Sequence, residues 1–308
     1  MDTPHLDNTA GWDRFWFAHE SSATLALFRI AFGAMATLWI LSLQPNLYAF
    51  FASDGIRPNP DTRDPGSWSL LLLLDSHAAV VTLFAVSVVA SLSLTLGFRT
   101  RLAAALMFIG IVSFERWNPL IMNSGDDALR NLAFFCMLAP SGRAVSLDRL
   151  RRGSGKFWTF PSFQPWPLRL IQLQVSMAYY SAVLHKVHGN TWRNGTAVYY
   201  VLHLDSLHRF TVFNWVANSL IITGALTYGA LVIEFLLAGL VWIRAARPWV
   251  LGLGALLHLS IDYCLNVGFF SWVMLVAYVA FIPPESAERF ILALRTHAHR
   301  WLRGTVPV

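Results

Sequence analysis

Stretches of about 20 apolar residues recur along this chain from Ala23 to Ile282. That is the length an α-helix needs to cross the hydrocarbon of a bilayer. The rest of the composition agrees. The 308 residues are 56% hydrophobic and only 13% charged, where soluble domains are roughly a quarter charged, and the mean hydropathy is +0.50. The expected fold class is therefore all-α: a polytopic integral membrane bundle of about eight transmembrane helices, with amphipathic helices at the interface.

The expected spans are Ala23–Leu43, Ala78–Gly97, Leu102–Leu120, Ala128–Ala139, Pro167–Lys186, Ile221–Ile243, Trp249–Cys264 and Phe269–Ile282. Pro283-Pro284 ends the last, because proline cannot continue a helix. Three segments follow: 1–22, the transmembrane domain 23–284, and a tail 285–308. Residues 1–22 carry three aspartates and a glutamate and no apolar core, so a cleaved signal peptide is not expected and the first span stays as the insertion signal.

Charge sets the orientation. Arg99 and Arg101; Arg143, Arg149, Arg151, Arg152 and Lys156; Arg244 and Arg247; and Arg289, Arg295, Arg300 and Arg303 follow alternate spans. The opposite loops are poorer, with Arg57, Arg63, Arg116, Arg193 and Arg209. By the positive-inside rule the rich loops and both termini are cytoplasmic, in a multi-pass protein of the cell membrane. The net charge of +6 is spent on topology, and no nucleic-acid partner is expected. In the tail, Phe290, Leu294 and Trp301 beside Arg289, Arg295 and Arg300 read as a basic helix on the inner membrane surface. Cys136 and Cys264 give neither a disulfide framework nor a zinc pattern.

Ionisable groups at membrane depth are costly and mark function or a structural pair. Arg29 lies near the cytoplasmic end of the first span, where it can snorkel to headgroups. Glu115 and Arg116 close the third span and read as interfacial. Glu234 sits in the middle of GALVIEFLLAG with no cation at helical spacing, so it requires a partner on another span or a proton. His258 and Asp262 are four apart on one helix face, as an imidazole held by a carboxylate or as a helix–helix hydrogen bond. Lys186 is one of only two lysines among 23 cationic side chains, and His185, His188 and Trp192 flank it. An ammonium can lose its proton where a guanidinium cannot, which suits a general base; the alternative is an interfacial anchor. With the loop that holds Asp126 and Asp127, these groups fall on the extracytoplasmic half.

Four stretches carry a resemblance to a known family: ALFRIAFG, NSGDDALRNLAFFCMLAPSGRAVSLD, QLQVSMAYYSAVLHKVHGNTWRNGTAV and LLHLSIDYCLNVGFFSWVMLVAYVAF. The chain resembles the HTTM (horizontally transferred transmembrane) domain, related to the transmembrane domain of vitamin K-dependent gamma-carboxylases. The resemblance implies that Lys186 deprotonates reduced vitamin K or menaquinol. The quinol then takes up oxygen, and a resulting strong base removes a glutamyl γ-proton so that carbon dioxide adds. Taken with the polar residues described above, the expected catalytic residues are Lys186, His258 and His185, and the expected substrate-binding residues are Asp126, Asp127, Trp192, Asp262, Glu234 and Arg29. No metal is expected. The sequence differs from the animal carboxylases in having His185-Lys186 for a lysine pair, and Asn123 to Asp127 where they have a histidine. A second reading is a non-catalytic membrane partner in maturation, export or immunity of a secreted peptide, as in sporulation-delaying protein B. A metal oxidase built from His185, His188, His203, His208 and Asp205 has too few histidines for its class. The expected partners are membrane lipid, quinone and a secreted peptide or small membrane protein.

Overall fold

The structure is a computed structural model that describes residues 8–56, 68–74, 76–153 and 156–304, with side chains described from 11 to 297 within those ranges. Arg57 and Arg63, and the side chains of Arg300, Trp301 and Arg303, lie outside that description. The main helices are α1 (Ala23–Ser42), α2 (His77–Leu96), α3 (Thr100–Trp117), α4 (Ser124–Leu138), α5 (Trp166–His188), α6 (Leu220–Gly239), α7 (Arg247–Cys264), α8 (Phe270–Tyr278) and α9 (Pro284–Gly304). Among the described residues the only sheet is a two-residue antiparallel pairing, Glu20–Ser21 with Ser162–Phe163.

A helix stands at each expected apolar stretch, but fewer of them meet the requirements of a crossing. Among the described residues three segments are long and apolar enough: Ala23–Phe51, His77–Leu96 and Leu220–Trp242. A fourth is added if Phe270–Phe281 and Pro284–His297, bent by 107°, are taken together. The remaining helices are short or carry charge. Helix α3 holds Arg101, Glu115 and Arg116, and α4 has 15 residues with Asp126, Asp127 and Arg130.

The chain divides into two compact units. The first comprises Met1–Leu120, Arg130–Ile171 and Val279–Val308. In it α1 packs on α2 and α2 on α3. Small residues allow the close approach: a Cβ on Gly33 would lie 2.5 Å from Thr95 Oγ1 and 2.8 Å from its backbone nitrogen. The hydroxyls of Thr37, Ser87 and Thr95 donate to the carbonyls four residues earlier at 2.7–2.8 Å, so these polar groups are satisfied within their own helices.

Two expectations are corrected in this unit. Arg29 does not snorkel. It is fully buried, and its guanidinium donates to the carbonyls of Ser141 (3.3 Å) and Val145 (2.6 Å). The left-handed Gly97 (φ +74°) gives it room, since a Cβ there would overlap the guanidinium. A buried guanidinium needs several acceptors, and the 141–145 turn supplies two of them. Glu115 is not an interfacial group either: it is buried and pairs with Arg130 at 2.5 Å. On helix α9, Ala287 and Ile291 pack on Ala23, while Phe290 and Leu294 stay more than half exposed.

The second unit comprises Ile121–Leu129 and Gln172–Tyr278. Here α6 packs against α7 and against the short helix Ala197–Val201, and α7 packs against α8. The start of α4 lies directly on the start of α8. A Cβ on Gly125 would be 2.5 Å from the Phe270 Cα, so only glycine fits.

Candidate functional site

Lys186 lies in the last turn of α5, where unpaired carbonyls favour a cation. The chain then breaks at Gly189 and turns into the short helix Asn190–Arg193. This returns Trp192 beneath the lysine, with Nζ 4.8 Å from the ring centroid. The turn is fixed on α6: the Tyr228 hydroxyl donates to the Arg193 carbonyl at 2.9 Å. Beside it Gly195 takes a left-handed conformation (φ +71°), where a Cβ would be 3.0 Å from the Tyr228 ring.

The partner that Glu234 requires is Lys186. The ammonium donates to Glu234 Oε1, joining α5 to α6. Glu234 is 7% exposed, and its second oxygen, Oε2, is buried with no partner among the described residues. A buried carboxylate oxygen without a donor is rare in a folded protein and points to a water or ligand.

Two turns before Lys186 on the same helix, Tyr179 forms a second buried cluster. Its hydroxyl lies 2.7 Å from His258 Nε2 and 2.6 Å from the Tyr278 hydroxyl. Tyr179, His258 and Tyr278 are 4%, 1% and 7% exposed. Gly254, one turn before His258, makes this possible, because a Cβ there would overlap the Tyr278 hydroxyl and press on Leu237. Helix α5 links this cluster to the ion pair, since it carries both Tyr179 and Lys186. His258 Nδ1 and Ser271 Oγ are buried without partners among the described residues.

Lys186, Glu234, Trp192 and His258 thus belong to one polar neighbourhood inside the second unit. Asp262 does not hold His258. It pairs with Arg209 at 3.0 Å, because the loop before Arg209 is tied to the end of α7 by Arg209 N–H to Cys264 carbonyl (3.1 Å) and Asn266 N–H to Leu207 carbonyl (2.6 Å). A guanidinium brought this close takes the carboxylate through a charge-assisted hydrogen bond. His185 is exposed and donates Nδ1–H to its own helix at the Ser181 carbonyl (2.7 Å), away from the pair. Asp126 caps its turn by accepting the Asn123 N–H at 2.7 Å, and Asp127 is exposed beside it. Arg29 belongs to the first unit. Among the described residues no three His, Cys, Asp or Glu side chains group as metal ligands would.

Tyr179, Tyr278, Ser271 and Arg209 are absent from the sequence-based candidates. Only Tyr179 carried a signal, being seven residues from Lys186 and so on nearly the same helix face.

Apolar helices, three or four of them long and apolar enough to cross a membrane among the described residues, accompany a buried ion pair and a hydroxyl–imidazole cluster, as in a helical membrane protein. The family described as HTTM domain matches residues 17–285, and the chain belongs to that family. It is accordingly related to the transmembrane domain of the gamma-carboxylases. No curated protein and no solved structure matches it.

Proposed function

We propose that this protein handles a reduced quinone, or a similar lipid-soluble aromatic diol, at an extracytoplasmic site with Lys186 as general base. The observation that carries the reading is the Lys186–Glu234 pair with its unpartnered Oε2. The donor set fits such a ligand: Glu234 Oε2 accepts from a hydroxyl, His258 Nδ1 offers a second polar contact, and Trp192 supplies an aromatic face. When bound, a reduced naphthoquinone supplies an acidic ring hydroxyl and an electron-rich ring able to react with oxygen. The chain's own part is proton handling. Lys186 and Glu234 share one proton between Nζ and Oε1, and the pair is electrically neutral wherever that proton sits. A second proton, taken at Nζ or at Oε2, produces the same state, ammonium beside carboxylic acid. Trp192 stabilises the added positive charge through its ring face. Coupling to carboxylation of a peptide is the further step that family membership supports.

The test is oxygen uptake and epoxide formation by purified protein given menaquinol. Neither product at any quinol concentration would leave the second reading, a non-catalytic partner of a secreted peptide.

The same reading places about eight crossings in the cell membrane with both termini in the cytoplasm. In a background lacking Cys136 and Cys264, single cysteines at Ser124 or Asn190 should react with an impermeant thiol reagent from outside. One at Thr296 should not. The opposite labelling would put the Lys186 site on the cytoplasmic face.

A further inference from the structure

The first unit contains a second candidate site, independent of Lys186. Between the α2–α3 turn and the segment after α4 lies a cavity of about 760 Å³, walled by Arg99, Arg101, Arg143, Arg151 and Arg152. Its one acidic residue is Asp148. Both oxygens of that carboxylate are engaged by backbone N–H groups at the start of α3: Oδ1 by Arg99 (2.8 Å) and Oδ2 by Thr100 (2.9 Å). Asp148 thus caps a helix while keeping its charge, which acts on Arg152 and leaves the five arginines in clear excess. Of the five, Arg143 is partly used, donating to the Ser162 carbonyl at 2.9 Å. Arg99 has a left-handed backbone (φ 44°), a conformation that a non-glycine residue keeps only when its surroundings enforce it.

Positive-inside topology accounts for arginines in this loop, but not for what adjoins them. A second cavity of about 380 Å³ runs along the outer face of α2 and α3, lined by Val86, Val89, Phe98, Leu102 and Leu106. It shares Arg99 and Leu102 with the first. Arg151 stacks over Phe98 with its guanidinium carbon 5.5 Å from the ring centre, at this junction. An apolar groove on the exposed side of α2 and α3 thus adjoins a cluster of cations.

We propose that this composite site binds one anionic phospholipid, its phosphate headgroup among the arginines and an acyl chain along the α2–α3 groove. Guanidinium groups recognise phosphate through paired charge-assisted hydrogen bonds, and five of them stand here against one carboxylate. A soluble phosphate compound would use the arginines but leave the groove empty.

The test is thermal unfolding of the purified full chain in neutral detergent. Phosphatidylglycerol, phosphatidylcholine with the same acyl chains, and inorganic phosphate are titrated separately. Phosphatidylglycerol should bind at least about tenfold tighter than phosphatidylcholine, with a preference that shrinks as salt rises. Arg101→Gln with Arg152→Gln should remove about tenfold of that affinity. Val89→Trp, which fills the groove and leaves every arginine in place, should weaken phosphatidylglycerol binding and leave phosphate unaffected. Equal stabilisation by the two lipids would overturn the proposal, and that comparison needs no variant. A full shift from inorganic phosphate with Val89→Trp silent would overturn it too, by assigning the arginines to a soluble anion.

Discussion

Replacing Lys186 by arginine is expected to leave the protein folded and to lower quinol-dependent oxygen uptake by about 10²–10⁴-fold, the usual contribution of a positioned general base. Arginine keeps the positive charge, can pair with Glu234 and can rest on Trp192. It cannot accept a proton, because its guanidinium stays charged at any accessible pH. Lys186→Ala should lose activity as well, with partial recovery from small added amines. Lys156→Arg is the silent control, since that lysine belongs to the first unit and the Lys186 site to the second. Full activity in Lys186→Arg would make the residue an interfacial anchor and remove the main support of the general-base reading.

The second large effect concerns stability. Glu234→Leu should destabilise the protein by about 1–3 kcal/mol, because it leaves the ammonium of Lys186 without its acceptor in a largely buried place. The cost is below that of a fully enclosed pair, since the Lys186 side chain keeps 26% exposure. Glu234→Gln should cost less, as the amide retains the shape and one acceptor. The double variant Lys186→Leu with Glu234→Leu should recover most of the loss, because it removes both charges together. Thermal unfolding of the four proteins in one detergent measures this. A double variant as unstable as Glu234→Leu alone would mean that the pair is not the source of the effect.

The positions of Lys186, Glu234 and His258 were legible in the sequence because hydrocarbon makes ionisable side chains rare and therefore conspicuous. Their pairing was not. Lys186 and Glu234 are 48 residues apart, and helical periodicity says nothing about which faces of two helices meet. His258 and Asp262 carried two readings, and the one found is the helix–helix hydrogen bond, between Tyr179 on α5 and His258 on α7. Spacing of four places two side chains on one face, but Arg209, supplied by a distant loop, took the carboxylate and Tyr179 took the imidazole. Tyr179 and Tyr278 were hidden because tyrosines in such chains usually mark the membrane interface. The helices themselves were legible from hydropathy, whereas the division into two units depends on contacts between distant segments. The arginines of the 143–152 segment were visible as a topology signal, yet nothing in their spacing revealed a cavity.

The bonds of Arg29 have a consequence for how the chain is made. Its acceptors, the carbonyls of Ser141 and Val145, lie 112 and 116 residues further along. At roughly 5–20 residues per second, they emerge on the order of 6–20 s after Arg29 does. Throughout that interval the first helix carries a guanidinium whose final partners do not yet exist. Until the 141–145 turn arrives, water, a headgroup or the insertion machinery has to hold the charge, and its release to those carbonyls sets a late step in assembling the first unit.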